Sequence, residues 1–179
     1  MQVSKGVFFV KKTVSTLLSI ALLTLLVVCA SAQEKKQTID KASATKIVQM
    51  LEESGHAYGK ASDNVWTVKF RGNTLDDIAV VTIGHEGMLI LVAVVAEKKD
   101  FKASPELMAK LLQLNDDYDR IKVGIDKEGD MFVRVDLTLR VTDAQEFKLN
   151  VEQVSAAADE IATMIKPYMV AAPAKKAVK

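Results

Sequence analysis

A single cysteine, Cys29, in 179 residues excludes an intrachain disulfide. Only two histidines are present, His56 and His85, and neither stands at ligand spacing to a cysteine or beside a nucleophile. That rules against a Cys/His metal site and against a His-activated hydrolase. Glycine is sparse. Gly84, Gly87 and Gly124 stand alone, so no phosphate-binding loop is present, and no Gly-flanked Ser sits between a strand and a helix. An excess of either charge is also missing: 24 basic and 23 acidic side chains give a formal net charge of +1, without a basic cluster that would suit nucleic acid. These absences predict a non-enzymatic protein with no catalytic residues, no cofactor, no bound metal and no nucleic-acid partner.

The N-terminal residues carry an address. Lys5, Lys11 and Lys12 precede an uncharged run from Thr13 to Val28, and Ala30-Ser31-Ala32 supplies small side chains where a signal peptidase cuts. The run falls short of the ~20 apolar residues a spanning helix needs and is diluted by Thr13, Ser15, Thr16, Ser19 and Thr24. We read residues 1–32 as a secretory signal cleaved between Ala32 and Gln33. This predicts export to the periplasm or the medium, with no membrane attachment after cleavage. An uncleaved anchor is disfavoured by length, and a lipid-modified Cys29 by the bulky Val28 just before it. Cleavage removes three lysines and leaves a slightly acidic chain. With no disulfide, its core alone must hold the fold, which a domain of this size can do.

Residues 33–42 are polar and predict a flexible lead-in, residues 43–169 a single domain, and residues 170–179 a disordered tail. Ser43 or Ala44 opens a helix with Ile47, Val48, Met50 and Leu51 on its apolar face, closed by Ser54-Gly55. From Tyr58 the period becomes two, and Trp66, Val68 and Phe70 alternate with Thr67, Lys69 and Arg71. Ile78 to Ile83 and Met88 to Ala96 are almost wholly apolar, and His85-Glu86-Gly87 joins them as a tight hairpin. Three or four meandering strands are expected.

Ser104-Pro105-Glu106 opens a second helix, with Leu107, Met108, Leu111 and Leu112 on one face. Ile121, Val123 and Ile125, the turn Asp126 to Asp130, and Val133, Val135, Leu137, Leu139 and Val141 form a hairpin with one apolar face. Asn150 with Gln153 reads as a capping box for a third helix bearing Val151, Val154, Ala158, Ile161 and Ile165. The fold class is α+β, an antiparallel sheet with helices packed on it, in the order helix, strands, helix, hairpin, helix.

This order resembles the YbjN-like proteins, whose fold is shared with type III secretion chaperones. The resemblance is carried by Leu111-Leu112-Gln113-Leu114-Asn115, Gly124-Ile125-Asp126, Phe132-Val133-Arg134-Val135-Asp136-Leu137 and Ala157-Ala158-Asp159-Glu160, and spans Thr45 to Tyr168. It implies a small α+β module that often dimerises and, in its chaperone branch, wraps an extended client peptide. It brings no catalytic residues.

Asn115, Asp116, Asp117 and Asp119 form an acidic cluster, but EF-hand spacing is absent. In the Asp126 turn Met131 occupies the position where such a loop needs glycine. Both read as turn formers. Trp66, Phe70 and Tyr58 read as core in preference to a ligand patch. The strands from Leu75 to Val81 and Met88 to Val95 are apolar on both faces, and three short helices fall short of covering both.

The second face, centred on Ile90, Val92 and Val94, is therefore the candidate partner surface, with Arg134, Asp136 and Arg140 setting partner choice. A protein partner, a client peptide or a second copy in a homodimer would cover it. The alternative is an envelope carrier holding a small apolar ligand or lipid between sheet and helices.

Overall fold

The computed structural model describes residues 41–170. The signal, its cleavage residues Ala30, Ala32 and Gln33, the lead-in up to residue 40 and the tail from residue 171 lie outside the described residues. The elements are α1 (Lys41–Ser54), β1 (Tyr58–Ser62), β2 (Val65–Phe70), β3 (Ile78–His85), β4 (Met88–Ala96), α2 (Pro105–Asp117), β5 (Lys122–Ile125), β6 (Met131–Thr138) and α3 (Ala144–Met164). They build one six-stranded antiparallel sheet in the order β1-β2-β3-β4-β6-β5. The expected α+β class and element order hold, with four strands in the meander.

The β3–β4 hairpin turns where the sequence indicated. Glu86 and Gly87 both adopt positive φ, 44° and 79°, and this left-handed pair matches the twist of the flanking strands. Because side chains alternate along a strand, Trp66, Val68, Val80, Leu89, Leu91, Val133 and Val135 all fall on one face and are buried there. Helices α1 and α3 pack side by side over that face, and α2 packs along β5. Ile47 and Leu51 of α1, Leu107 and Leu111 of α2, and Phe147, Val151, Val154 and Ile161 of α3 complete the core. Trp66 belongs to it. Phe70 is half-buried, edge-on to the His56 ring at 5.0 Å, and Tyr58 is exposed.

Several boundaries differ from expectation. Helix α1 begins at Lys41. The α2 start is as read, with Pro105 in the first turn and Ser104 Oγ accepting the Leu107 N–H at 3.2 Å. Its buried stripe, however, is Leu107, Leu111 and Leu114, while Leu112 is 74% exposed. Helix α3 starts seven residues before the expected cap, at Asp143, whose carboxylate accepts the Glu146 N–H at 2.8 Å. Asn150 is not a cap: it is buried inside the helix and donates to the Glu146 carbonyl. Strand β6 ends at Thr138, short of Val141, because the Val141 and Thr142 N–H groups both fold back onto the Thr138 carbonyl. Val170, the last described residue, donates its N–H to the Asp100 carbonyl.

Two buried polar atoms, Thr82 Oγ1 and Asn150 Oδ1, lack a hydrogen-bond partner among the described residues. A buried polar group without a partner keeps its desolvation cost. Thr82→Val replaces the hydroxyl by a methyl of nearly the same shape, and is expected to raise stability by about 1 kcal/mol. A fall in the urea midpoint would contradict it.

Candidate functional site

The face of the sheet opposite α1 and α3 is built from the other parity of the same strands. One cross-strand row reads Thr67, Val81, Val92, Arg134 and Lys122 from β2 to β5. A second reads Val65, Ile83, Ile90 and Asp136, and a third Val94, Phe132 and Gly124. The Phe132 ring lies over Gly124, where a Cβ would meet it at 3.0 Å. Ile90 and Val92 are half-buried, flush between neighbours, and Val94 is 52% exposed. Among the described residues neither α1 nor α3 reaches this face, and α2 stays beside β5. It is an apolar strip about three strands wide, bordered on the β6–β5 side by charge.

That border is a three-residue ionic network. Lys122 Nζ donates to Asp136 Oδ2 at 2.7 Å, and Arg134 Nε donates to Asp136 Oδ1 at 2.5 Å. Burial pushes the Asp136 carboxyl up, but donation from Arg134 and Lys122 outweighs it and holds the group below its ordinary value. Asp136 is thus a charged carboxylate with both oxygens engaged.

The structure brings Ile90, Val92, Val94, Arg134 and Asp136 onto one face and leaves Arg140 off it. Strand parity would place Arg140 with Arg134 and Asp136, but β6 has already ended, and Arg140 lies in the corner before α3. There its carbonyl accepts Lys46 Nζ at 3.2 Å. Sequence reasoning missed Val65, Val81, Ile83, Phe132 and Lys122. Each lies on the same parity as the residues it did name, once register is known.

The other candidates have structural roles. Asp126 Oδ1 accepts the N–H groups of Gly129 and Asp130, closing the β5–β6 turn. The Asn115 amide accepts from Val123 N–H and donates to Val123 C=O, sealing the outer edge of β5 as a peptide unit would. His56 Nε2 lies 3.1 Å from Glu152 Oε1, tying the α1–β1 loop to α3. A surface cleft of about 520 Å³ between the β2–β3 connection and α3 mixes apolar Phe70 and Ile78 with charged Arg71, Glu152, Asp159 and Glu160.

The fold is shared with solved structures. One is a chain from the heterodimeric ExoU–SpcU complex of the type III secretion system of Pseudomonas aeruginosa. It matches with a TM-score of 0.50 at 15% identity, covering 66% of this chain and 97% of that one. Another is YbjN from E. coli, with a TM-score of 0.52 at 12% identity, covering 71% and 94%. At these identities the likeness is one of fold. No curated protein matches the chain in sequence. The model of the YbjN family, described as "Putative bacterial sensory transduction regulator", matches residues 43–167, nearly the whole described domain. The chain belongs to the YbjN family.

Proposed function

We propose that this chain is an exported, non-enzymatic protein-binding module that holds a segment of a partner protein on the open face of its sheet. The observation that carries the reading is the apolar strip of Val81, Ile83, Ile90, Val92 and Val94, set on central strands with no helix above it among the described residues. Contiguous exposed apolar surface rimmed by polar groups marks interaction sites. The fold supports the reading, since one solved neighbour comes from a heterodimeric protein complex. Export is supported by Lys5 to Lys12, the uncharged run and Ala30-Ser31-Ala32. A small apolar ligand between sheet and helices gains no support, because Leu89, Leu91, Phe147 and Val151 already fill that layer.

The test is crosslinking and affinity capture of the tagged protein from the envelope fraction of its native host, beside the Val92→Asp variant. A carboxylate placed in the strip is expected to reduce the captured partner about tenfold or more, because it must be desolvated beneath the partner and it competes for Arg134 directly across from it. Far-UV circular dichroism should stay unchanged, since Val92 lies outside the core. Capture indifferent to Val92→Asp would contradict the reading. Intact mass of the recovered protein should begin at Gln33, and a mass retaining residues 1–32 would count against cleavage.

A further inference from the structure

We infer that the segment held on the open face is an extended acidic-apolar peptide. Its carboxylate lies on Lys122 and Arg134, and its apolar side chains lie on Ile90, Val92 and Val94. The inference rests on the docking reading above and adds the partner's chemistry.

The charges of the strands are sorted by face. On open-face positions the cations are Lys69, Lys122 and Arg134, against one carboxylate, Asp136. Lys69 is paired with Asp77 at 3.5 Å. Asp136 offsets only one of the remaining two cations on these strand positions; across the adjoining cleft Arg120 is paired with Glu146, and Asp143 caps α3. On α3 the carboxylates are occupied: Glu146 pairs with Arg120, Glu152 with His56 and Glu160 with the Tyr118 hydroxyl, while Asp159 accepts backbone N–H groups. Of the Arg134 guanidinium only Nε is engaged among the described residues, so its two Nη groups remain to take a carboxylate in a planar fork. The Lys122 side chain is 62% exposed.

Spacing selects an extended peptide. Ile90, Val92 and Val94 recur every ~6.6 Å along β4, the repeat of same-side residues in an extended chain. Val92 is directly across from Arg134, and Arg134 from Lys122. Such neighbours lie roughly 5 Å apart, so an apolar anchor and an acid fit side by side. A second copy would compete with the peptide for the same strip. A lipid surface fits less well, since Ile90 and Val92 are half-buried and only Val94 of the three is exposed.

The probe is a fluorescein-labelled peptide alternating Val and Thr and ending in a pair of Glu, compared with the same peptide ending in a pair of Lys. Anisotropy is read with the full chain at low salt. The acidic probe is expected to bind about tenfold more tightly, the scale of a hydrogen-bonded charge pair. The gap should close with Arg134→Gln, narrow with Lys122→Gln, and vanish with salt. In each single variant Asp136 keeps one cation, which preserves the fold, and circular dichroism checks this.

Equal binding of the two probes, abolished by Val92→Asp, overturns the acidic preference and leaves the docking reading standing. Binding indifferent to Val92→Asp overturns both. Binding to phosphatidylglycerol vesicles with neither peptide bound, or a self-association that excludes the probe, overturns the inference in favour of a lipid or a second copy.

Discussion

Phe147→Ala is expected to lower the unfolding free energy by about 3–5 kcal/mol, the range for emptying a buried aromatic site. Phe147 lies in the first turn of α3, fully buried, and is the largest of the fully buried side chains. The turn it occupies is the one that Asp143 caps, so loss of the ring undermines the docking of the helix N-terminus as well as the core. Domains of this kind are stable by about 5–15 kcal/mol, so the variant should unfold at a much lower urea concentration with an unchanged slope. Leu149→Ala provides the contrast. Leu149 is on the same helix but 54% exposed, and its removal should change stability by no more than about 0.5 kcal/mol. Equal losses for the two would mean that α3 is rotated from the orientation described.

The contrast between Phe147 and Leu149 also shows where sequence legibility ends. Periodicity located α3 correctly from Val151 onward, because Val151, Val154, Ala158 and Ile161 repeat at helical spacing. Its first turns were lost because Asn150 and Gln153 mimic a capping box, although the true cap, Asp143 with Glu146 behind it, lies one heptad earlier. Asn150 is tolerated in the interior because its amide bonds the carbonyl four residues back. Strand β1 was indistinct because all five of its residues are exposed at an edge and carry no apolar alternation. The open face was legible as a surplus: strands apolar on both sides with too little helix to cover them. Lys122 was not, since its place beside Arg134 comes from the β5–β6 register and not from any local pattern. Arg140 was misplaced because alternation says nothing about where hydrogen bonding ends a strand.

Helix α3 does more than cover the sheet: its acids hold three loops in place. Glu146 meets Arg120 after α2, Glu152 meets His56 after α1, and Asp159 holds the β2–β3 connection. The last is the most tightly made. Asp159 accepts the N–H groups of Asn73, Thr74 and Leu75 at 2.8–2.9 Å, and Thr74 and Thr163 hydroxyls meet at 2.6 Å. Three backbone donors satisfied by one carboxylate fix a loop whose own ladder has ended. They also fix the spacing between β2 and β3, the strands that carry Val65, Val81 and Ile83 of the open face.

Gly72 is the position that lets this clamp close. A Cβ there would overlap the Asp159 carboxylate and lie 3.0 Å from the Asp159 Cβ, so any side chain displaces the acid from its three donors. Gly72→Ala is expected to cost about 2 kcal/mol, the scale of forced overpacking, measured by urea unfolding near neutral pH. In an Asp159→Ala background the clash and the clamp are both absent, so adding Gly72→Ala should cost far less than it does alone; full additivity would show that the two residues do not meet. The pH dependence follows from the same bonds. The Leu75, Asn73 and Thr74 N–H groups hold the Asp159 carboxyl below its ordinary value. Its stabilising contribution is therefore complete above the unfolded value of about 3.9 and is lost as pH falls through the lower folded one. Below that range the gap between Gly72→Ala and the parent should narrow, because the protonated acid holds the three N–H groups less strongly and only the steric part of the cost remains. A gap that stays constant down to the acid transition would assign the cost of the alanine to backbone geometry instead.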